Sequence, residues 1–197
     1  MNRCIKKISL GLISAGLSVN TLAASFQLYS SDFIDKGGLK QAQVFNGFGC
    51  QGQNQSPALS WKNPPAGTKS FALLVHDPDA PTGGAGWWHW VVINIPVQTT
   101  ALPTGAGQAN TKAEATEKAN KALLPPGAIQ VKTDFGTAAW GGPCPPVGDK
   151  PHRYRFTLHA LKTPHLDLPA DATAALAGFI VNQNSLSQAT LTGYFGR

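Results

Sequence analysis

Trp87–Ile95 (WWHWVVINI) is apolar at every position except His89 and Asn94. A strand that is half exposed alternates apolar and polar side chains, so an unbroken apolar run predicts a strand buried on both faces. Such a strand needs a layer of protein above it and another below it. Two further segments read as its neighbours. In Phe71–Val75 the two-residue period places Phe71, Leu73, Val75 and Asp77 on one face, with Asp77 as the polar end of an apolar stripe. In Arg153–Leu161 it turns His152, Tyr154, Phe156 and Leu158 inward and leaves Arg153, Arg155 and Thr157 to solvent. By the same period His89 shares a face with Trp87, Val91 and Ile93.

The remaining chain fits that frame. Gly (21) and Pro (15) are frequent, which suits short strands joined by tight turns. Phe26–Ser30 reads as a first strand, Pro57–Trp61 leads into another, and Leu191–Tyr194 closes the series. Gly105–Lys121 has the composition of a short surface helix, and Asp171 stands where it would cap a helix to about Ser187 with Leu176, Phe179 and Ile180 inward. Strands dominate and helices are peripheral. The expected fold is mainly β, a sandwich rather than a βαβ unit.

The first residues have another purpose. Arg3, Lys6 and Lys7 precede the uncharged, mostly apolar run Ile8–Val19, and Leu22-Ala23-Ala24 supplies small residues for cleavage after Ala23 or Ala24. This is the pattern of a secretory signal peptide, too short to span a bilayer. Residues 1–24 are therefore expected to be a signal peptide and 25–197 a single domain, periplasmic or secreted, with no transmembrane anchor after cleavage. Removing the signal lowers Lys+Arg from 16 to 13 against 10 acidic residues, so the formal charge falls from +6 to +3. No basic tract remains, and nucleic acid is not an expected partner. Cleavage also removes Cys4, leaving Cys50 and Cys144. In an exported protein two cysteines are most simply a disulfide; free or metal-bound thiols are the alternative, without a CxxC spacing to favour it.

Most motifs resolve into ordinary structure. Gly47–Gly52 matches GxGxxG, but Pro57 follows rather than the helix a dinucleotide pyrophosphate needs. Asp77–Pro81 (DPDAP) is a good turn and a poor calcium loop. There is no GxSxG, HExxH or Walker sequence. No metal and no cofactor is expected. His76, His159 and His165 read as structural or exposed.

What lifts His89 and His152 above ordinary core histidines is their company: Asp77, Tyr154 and the GGPCPP turn before PHRY. In these stretches the chain resembles the phosphatidylethanolamine-binding proteins, also called Raf kinase inhibitor-like proteins. The matching pieces are NQSPALSW (Asn54–Trp61), DPDAP with WWHWVVINIP (Trp87–Pro96), LPPGA (Leu124–Ala128), GGPCPPVGDKPHRYRFTLHAL (Gly141–Leu161) and LTGYFGR (Leu191–Arg197). With its signal and two cysteines the chain is similar to the bacterial periplasmic branch. The resemblance implies a sandwich of two antiparallel sheets with a few flanking helices. It also implies a small anion pocket for phosphate, acetate or a phosphoethanolamine headgroup. That pocket comprises Asp77, His89, Pro145, His152 and Tyr154, with Asp79 and Trp87 alongside.

The expected function is a non-enzymatic binding protein for a small anionic or phosphorylated ligand, with a rim that a partner protein can read. Protonated His152 and His89 are the expected phosphoryl donors, which makes affinity rise on acidification. The alternative is a phosphoester or acyl hydrolase with His152 and His89 as acid and base, for which no nucleophile is evident.

Overall fold

A computed structural model describes residues 24–108 and 123–197 of the chain. All but the last residue of the expected signal peptide and most of the expected helix at Gly105–Lys121 lie outside the described residues. Within them the strands are β1 (Gln27–Tyr29), β2 (Gly37–Gly38), β3 (Asn46–Gly47), β4 (Cys50–Gln51), β5 (Leu59–Lys62), β6 (Ser70–Asp77), β7 (Trp87–Pro96), β8 (Ala101–Leu102), β9 (Ile129–Gln130), β10 (His152–Leu161) and β11 (Ser185–Phe195). One helix, α1 (Ala174–Asn184), lies between β10 and β11.

A six-stranded sheet in the order β2-β11-β10-β6-β7-β9 forms the centre. It is antiparallel throughout except for β2, which runs parallel to β11. A smaller sheet, β1-β5-β8, covers one face. Between the two sheets lie Leu28, Trp61, Phe71, Trp90, Phe156 and Leu102. The opposite face carries Leu74, Val91 and Ile93 and is covered by α1 and Leu166. β7 is thus buried on both sides, for the reason its sequence states: it has protein above and below.

Two details depart from expectation, and both are packing effects. The cap of α1 is Thr173, whose hydroxyl accepts from the Leu176 backbone N–H at 3.2 Å, and not Asp171. The buried stripe is Ala174, Ala177, Gly178 and Val181, while Leu176 and Phe179 face outward. Small residues at i, i+3, i+4 and i+7 let the helix lie close on the sheet. A Cβ at Gly178 would already stand 3.3 Å from the Trp88 ring.

The second departure is in β7. Val75 pairs with Trp90 but His76 pairs with Trp88, so His89 is the extra residue of a β-bulge. The bulge reverses the alternation beyond it. Val91 and Ile93 pack on the helix side, whereas His89 turns with Trp90 toward Trp140. His89 therefore does not share a face with Val91 and Ile93, as strict alternation predicts.

Candidate functional site

Antiparallel pairing brings the last residue of β6 beside the first of β7, and β10, which flanks β6 on its other side, starts at the same end of the sheet. At that end of the sandwich lies a cavity of about 210 Å³. Asp77, Trp87, His89, Pro145, His152 and Tyr154 all line it. Three distant stretches of sequence do converge.

Asp77 and His152 form a buried pair. Their side chains are 4% and 5% exposed, and Nδ1 of His152 donates to Oδ2 of Asp77 at 2.7 Å. The other carboxylate oxygen accepts the backbone N–H of Asp79 at 2.8 Å, an Asx-type turn that the DPDAP sequence is built to make. Nε2 of His152 stands 3.3 Å from Oδ2 of Asp149.

His89 is held differently. Its Nδ1 lies 2.6 Å from the carbonyl oxygen of Gly141, and its own carbonyl accepts the Gly141 N–H at 2.9 Å. A carbonyl only accepts, so Nδ1 carries the proton and Nε2 keeps a lone pair. Burial pushes the imidazole down to about 4, against the opposing effects of the Gly141 carbonyl and the Asp77 charge. Neutral His89 is an acceptor toward the cavity. That corrects the expectation of a charged donor there, and both ring nitrogens of His152 stand beside carboxylates, at 2.7 and 3.3 Å.

Tyr154 is fully buried, and its hydroxyl has no hydrogen-bond partner among the described residues. Burial raises its pKa well above the ordinary phenol value, so it stays an O–H donor. Its ring meets that of His89 edge-on, with centroids 5.0 Å apart.

Asp79 does not join them. It receives the Arg153 backbone N–H at 2.9 Å and the guanidinium at 2.8 and 2.5 Å, which hold its carboxyl down to about 2. It lines a separate depression beside Lys150 and Tyr194. The arginine on the outer face of β10 draws it away. His76 packs on Trp88, His159 contacts Ser185, and His165 pairs with Asp167 at the surface, all outside the cavity.

The walls contain residues that sequence reasoning missed. Phe135 packs edge-on against Trp87 at 5.7 Å and close to His89 at 5.3 Å. Nothing in its sequence context marks it. Gly141 lets it sit there, because a Cβ at that glycine would fall 2.3 Å from the Phe135 ring. Phe48 stands at the tip of the β3–β4 hairpin, where Phe48 and Gly49 both have positive φ (52° and 83°) in a two-residue turn. The glycine-rich motif is this turn. Cys50 and Cys144 form the expected disulfide, tying the hairpin to the proline-rich turn across 94 residues of sequence. That link was the signal for Phe48: it lies two residues before Cys50, and Pro145 follows Cys144. Asn54 secures the same turn, accepting the Gly142 N–H at 2.8 Å and donating to the Trp140 carbonyl at 3.3 Å. Arg197 completes it through the carbonyls of Pro145 and Phe48.

The cavity thus has aromatic and proline walls and a polar floor. Among the described residues lining it there is no lysine or arginine.

Buried neutral histidines make the fold acid-sensitive. His89 and His159 are each pushed down to about 4 by burial, below the ordinary 6.5. The unfolded chain takes up their protons first, so this stability is present above pH 6.5 and is lost as pH falls toward 4. Each histidine should cost about 2 kcal/mol by roughly pH 5 relative to pH 7. Thermal melts at the two pH values should show it, and a variant His159→Gln should flatten the difference by about half. An identical midpoint at both pH values would contradict the assignment.

Comparison with known proteins agrees with this architecture. The family model for the phosphatidylethanolamine-binding protein matches residues 29–196. UPF0098 protein YbcL of Escherichia coli (strain K12) is 44% identical over 189 residues, covering 95% of this chain and 97% of that protein. UPF0098 protein YbhB of the same organism is 44% identical over 169 residues, 86% of this chain and 99% of its own. The crystal structure of E. coli YbcL, described as a new member of the mammalian PEBP family, matches with a TM-score of 0.80 and 45% identity over 88% of this chain and 99% of that chain. Sequence, sheet order and relatives converge on one conclusion: the chain belongs to the phosphatidylethanolamine-binding protein family.

Proposed function

We propose that this is an exported, non-enzymatic binding protein whose cavity holds the oxyanion end of a small phosphorylated ligand. The observation that carries the reading is the Tyr154 hydroxyl, buried and, among the described residues, unpartnered, on a side chain that lines the cavity. An unsatisfied buried donor costs about 1–3 kcal/mol, and a ligand oxygen for which the ring shifted enough to expose the hydroxyl would recover that cost. His152, Pro145 and Trp87 complete the ligand's surroundings in this reading, and Phe48 and Phe135 supply its apolar walls. Export is supported by the basic and apolar leader and by the disulfide. Among the described residues no helix is long and apolar enough to cross a membrane.

The test is Tyr154→Phe, read by calorimetry with phosphoethanolamine and by thermal melts. Affinity should fall about tenfold, the worth of a hydrogen bond of ~1.4 kcal/mol, while the free protein keeps its midpoint or gains slightly. Unchanged affinity would remove the hydroxyl from the site. No heat at millimolar ligand would remove the reading itself. The Asp77–His152 pair also has the form of an oriented base. However, Nε2 of His152 faces Asp149 rather than a hydroxyl nucleophile. Turnover of p-nitrophenyl phosphate that disappears in His152→Ala would replace binding with hydrolysis.

A further inference from the structure

β11 is an edge strand for most of its length. β10 pairs it on one side from Ser185 to Phe195, whereas β2 covers only Gly193 and Tyr194 on the other. Thr192 marks which backbone groups face that open side. Its carbonyl accepts the Lys36 N–H at 2.7 Å, and its N–H donates to Oδ1 of Asp35 at 2.9 Å. Backbone direction alternates along a strand, and the register with β10 is unbroken from Ser187 to Phe195. The N–H and C=O groups of Gln188 and Thr190 therefore point the same way, and among the described residues they have no hydrogen-bond partner. Proteins usually guard such an edge with a charge, a proline or a bulge. Ser187–Thr192 (SQATLT) has none of them.

Beside this edge lies a groove of about 400 Å³ that shares no lining residue with the cavity. Its other wall is β1, the edge strand of the smaller sheet. Its apolar lining is the margin of the core, where Leu28, Phe33, Ala189 and Leu191 are all buried, and Tyr29 and Ile34 stand exposed along it. Among the described residues lining the groove, Asp35 is the one charged side chain, placed where β2 takes over the edge.

We propose that this edge takes an extended segment of another protein, added as a strand beside β11, with apolar side chains at alternate positions and a lysine or arginine at the end that meets Asp35. The open N–H and C=O groups of Gln188 and Thr190 give the segment its hydrogen bonds. Residues standing opposite Ala189 and Leu191 share their face of the sheet, so their side chains enter the groove. Asp35 supplies the charge that selects a basic end. A second copy of the chain meets the edge with the same uncharged strand and offers Asp35 no cation. The open stretch spans roughly 17 Å at 3.4 Å per residue, so the contact is small and the complex weak and reversible. The inference is independent of what the cavity binds.

The experiment titrates the protein with the peptide acetyl-Lys-Val-Thr-Val-Thr-Val-amide, whose lysine meets Asp35 when it runs antiparallel to β11. Amide hydrogen exchange is followed by NMR. The Gln188 and Thr190 amides should exchange fast in the free protein and slow about tenfold at millimolar peptide. The Ala189 and Leu191 amides, which face β10, should not change. The same peptide N-methylated at alternate residues keeps its side chains, loses its donors and should leave every amide unaffected. Thr190→Pro removes one donor at a position where an edge strand tolerates proline, so the fold should persist and the slowing at Gln188 should vanish. Asp35→Asn keeps an acceptor for the Thr192 N–H and drops the charge, and peptide affinity should fall several-fold. No slowing at millimolar peptide overturns the proposal, as does equal affinity for wild type and Asp35→Asn. A dimer in light scattering that Thr190→Pro dissociates also overturns it, because the edge then belongs to a second copy.

Discussion

His152→Ala is expected to lower the thermal midpoint by about 10 °C and to abolish phosphoethanolamine binding. Removing one partner of a buried hydrogen-bonded pair costs about 3–5 kcal/mol when a carboxylate is left behind without its donor. Here the survivor is the Asp77 carboxylate, 4% exposed, which keeps only the Asp79 N–H. For a domain of this length each kcal/mol moves the midpoint by roughly 2–4 °C. Binding fails for a related reason. An uncompensated carboxylate at the cavity floor repels an incoming anion at close range. The double variant Asp77→Asn/His152→Ala removes the orphan charge, so it should be more stable than His152→Ala alone. Were the double variant the less stable of the two, the lost contacts would be those of packing rather than of the pair.

Removal of the disulfide comes second. Cys50→Ser with Cys144→Ser should destabilise the fold by about 4–5 kcal/mol in the chain-entropy treatment, since the unfolded chain regains a 94-residue loop. The native site should loosen only in part. Arg197 still holds the carbonyls of Phe48 and Pro145, so the hairpin retains a second fastening beside the cavity. The expected result is a large shift in urea midpoint with only a several-fold loss of phosphoethanolamine affinity under native conditions. Denaturation with and without reductant measures the first quantity, and calorimetry the second. An unchanged urea midpoint would mean that the crosslink constrains little of the unfolded chain.

These two expectations differ in how readily the sequence foretells them. The disulfide follows from counting cysteines once a leader peptide is recognised. The Asp77–His152 pair follows from two alternating strands whose inward stripes end in polar residues. Asp79 shows where that logic stops. It lies in the same DPDAP turn as Asp77, yet Arg153 lies within reach and takes it to the outer face. His89 enters the cavity, as the resemblance implied, but by a bulge that simple alternation does not contain. Phe135 arrives there only because Gly141 leaves it room.

The long central strands, the doubly buried β7, the inward stripe of β10 and the cysteine pairing were legible from the residues alone, because each depends on side-chain order along one segment or on simple counting; the two-residue strands β2, β3, β4, β8 and β9 were not. The face presented by α1, the tautomer of His89 and the solitary hydroxyl of Tyr154 were decided by tertiary structure. Each is set by what another segment places opposite: Trp88 against Gly178, the Gly141 carbonyl against Nδ1, and, among the described residues, no hydrogen-bonding group against the phenol oxygen. A chain read residue by residue carries its own periodicity, but a hydrogen bond and a cavity belong to two partners at once.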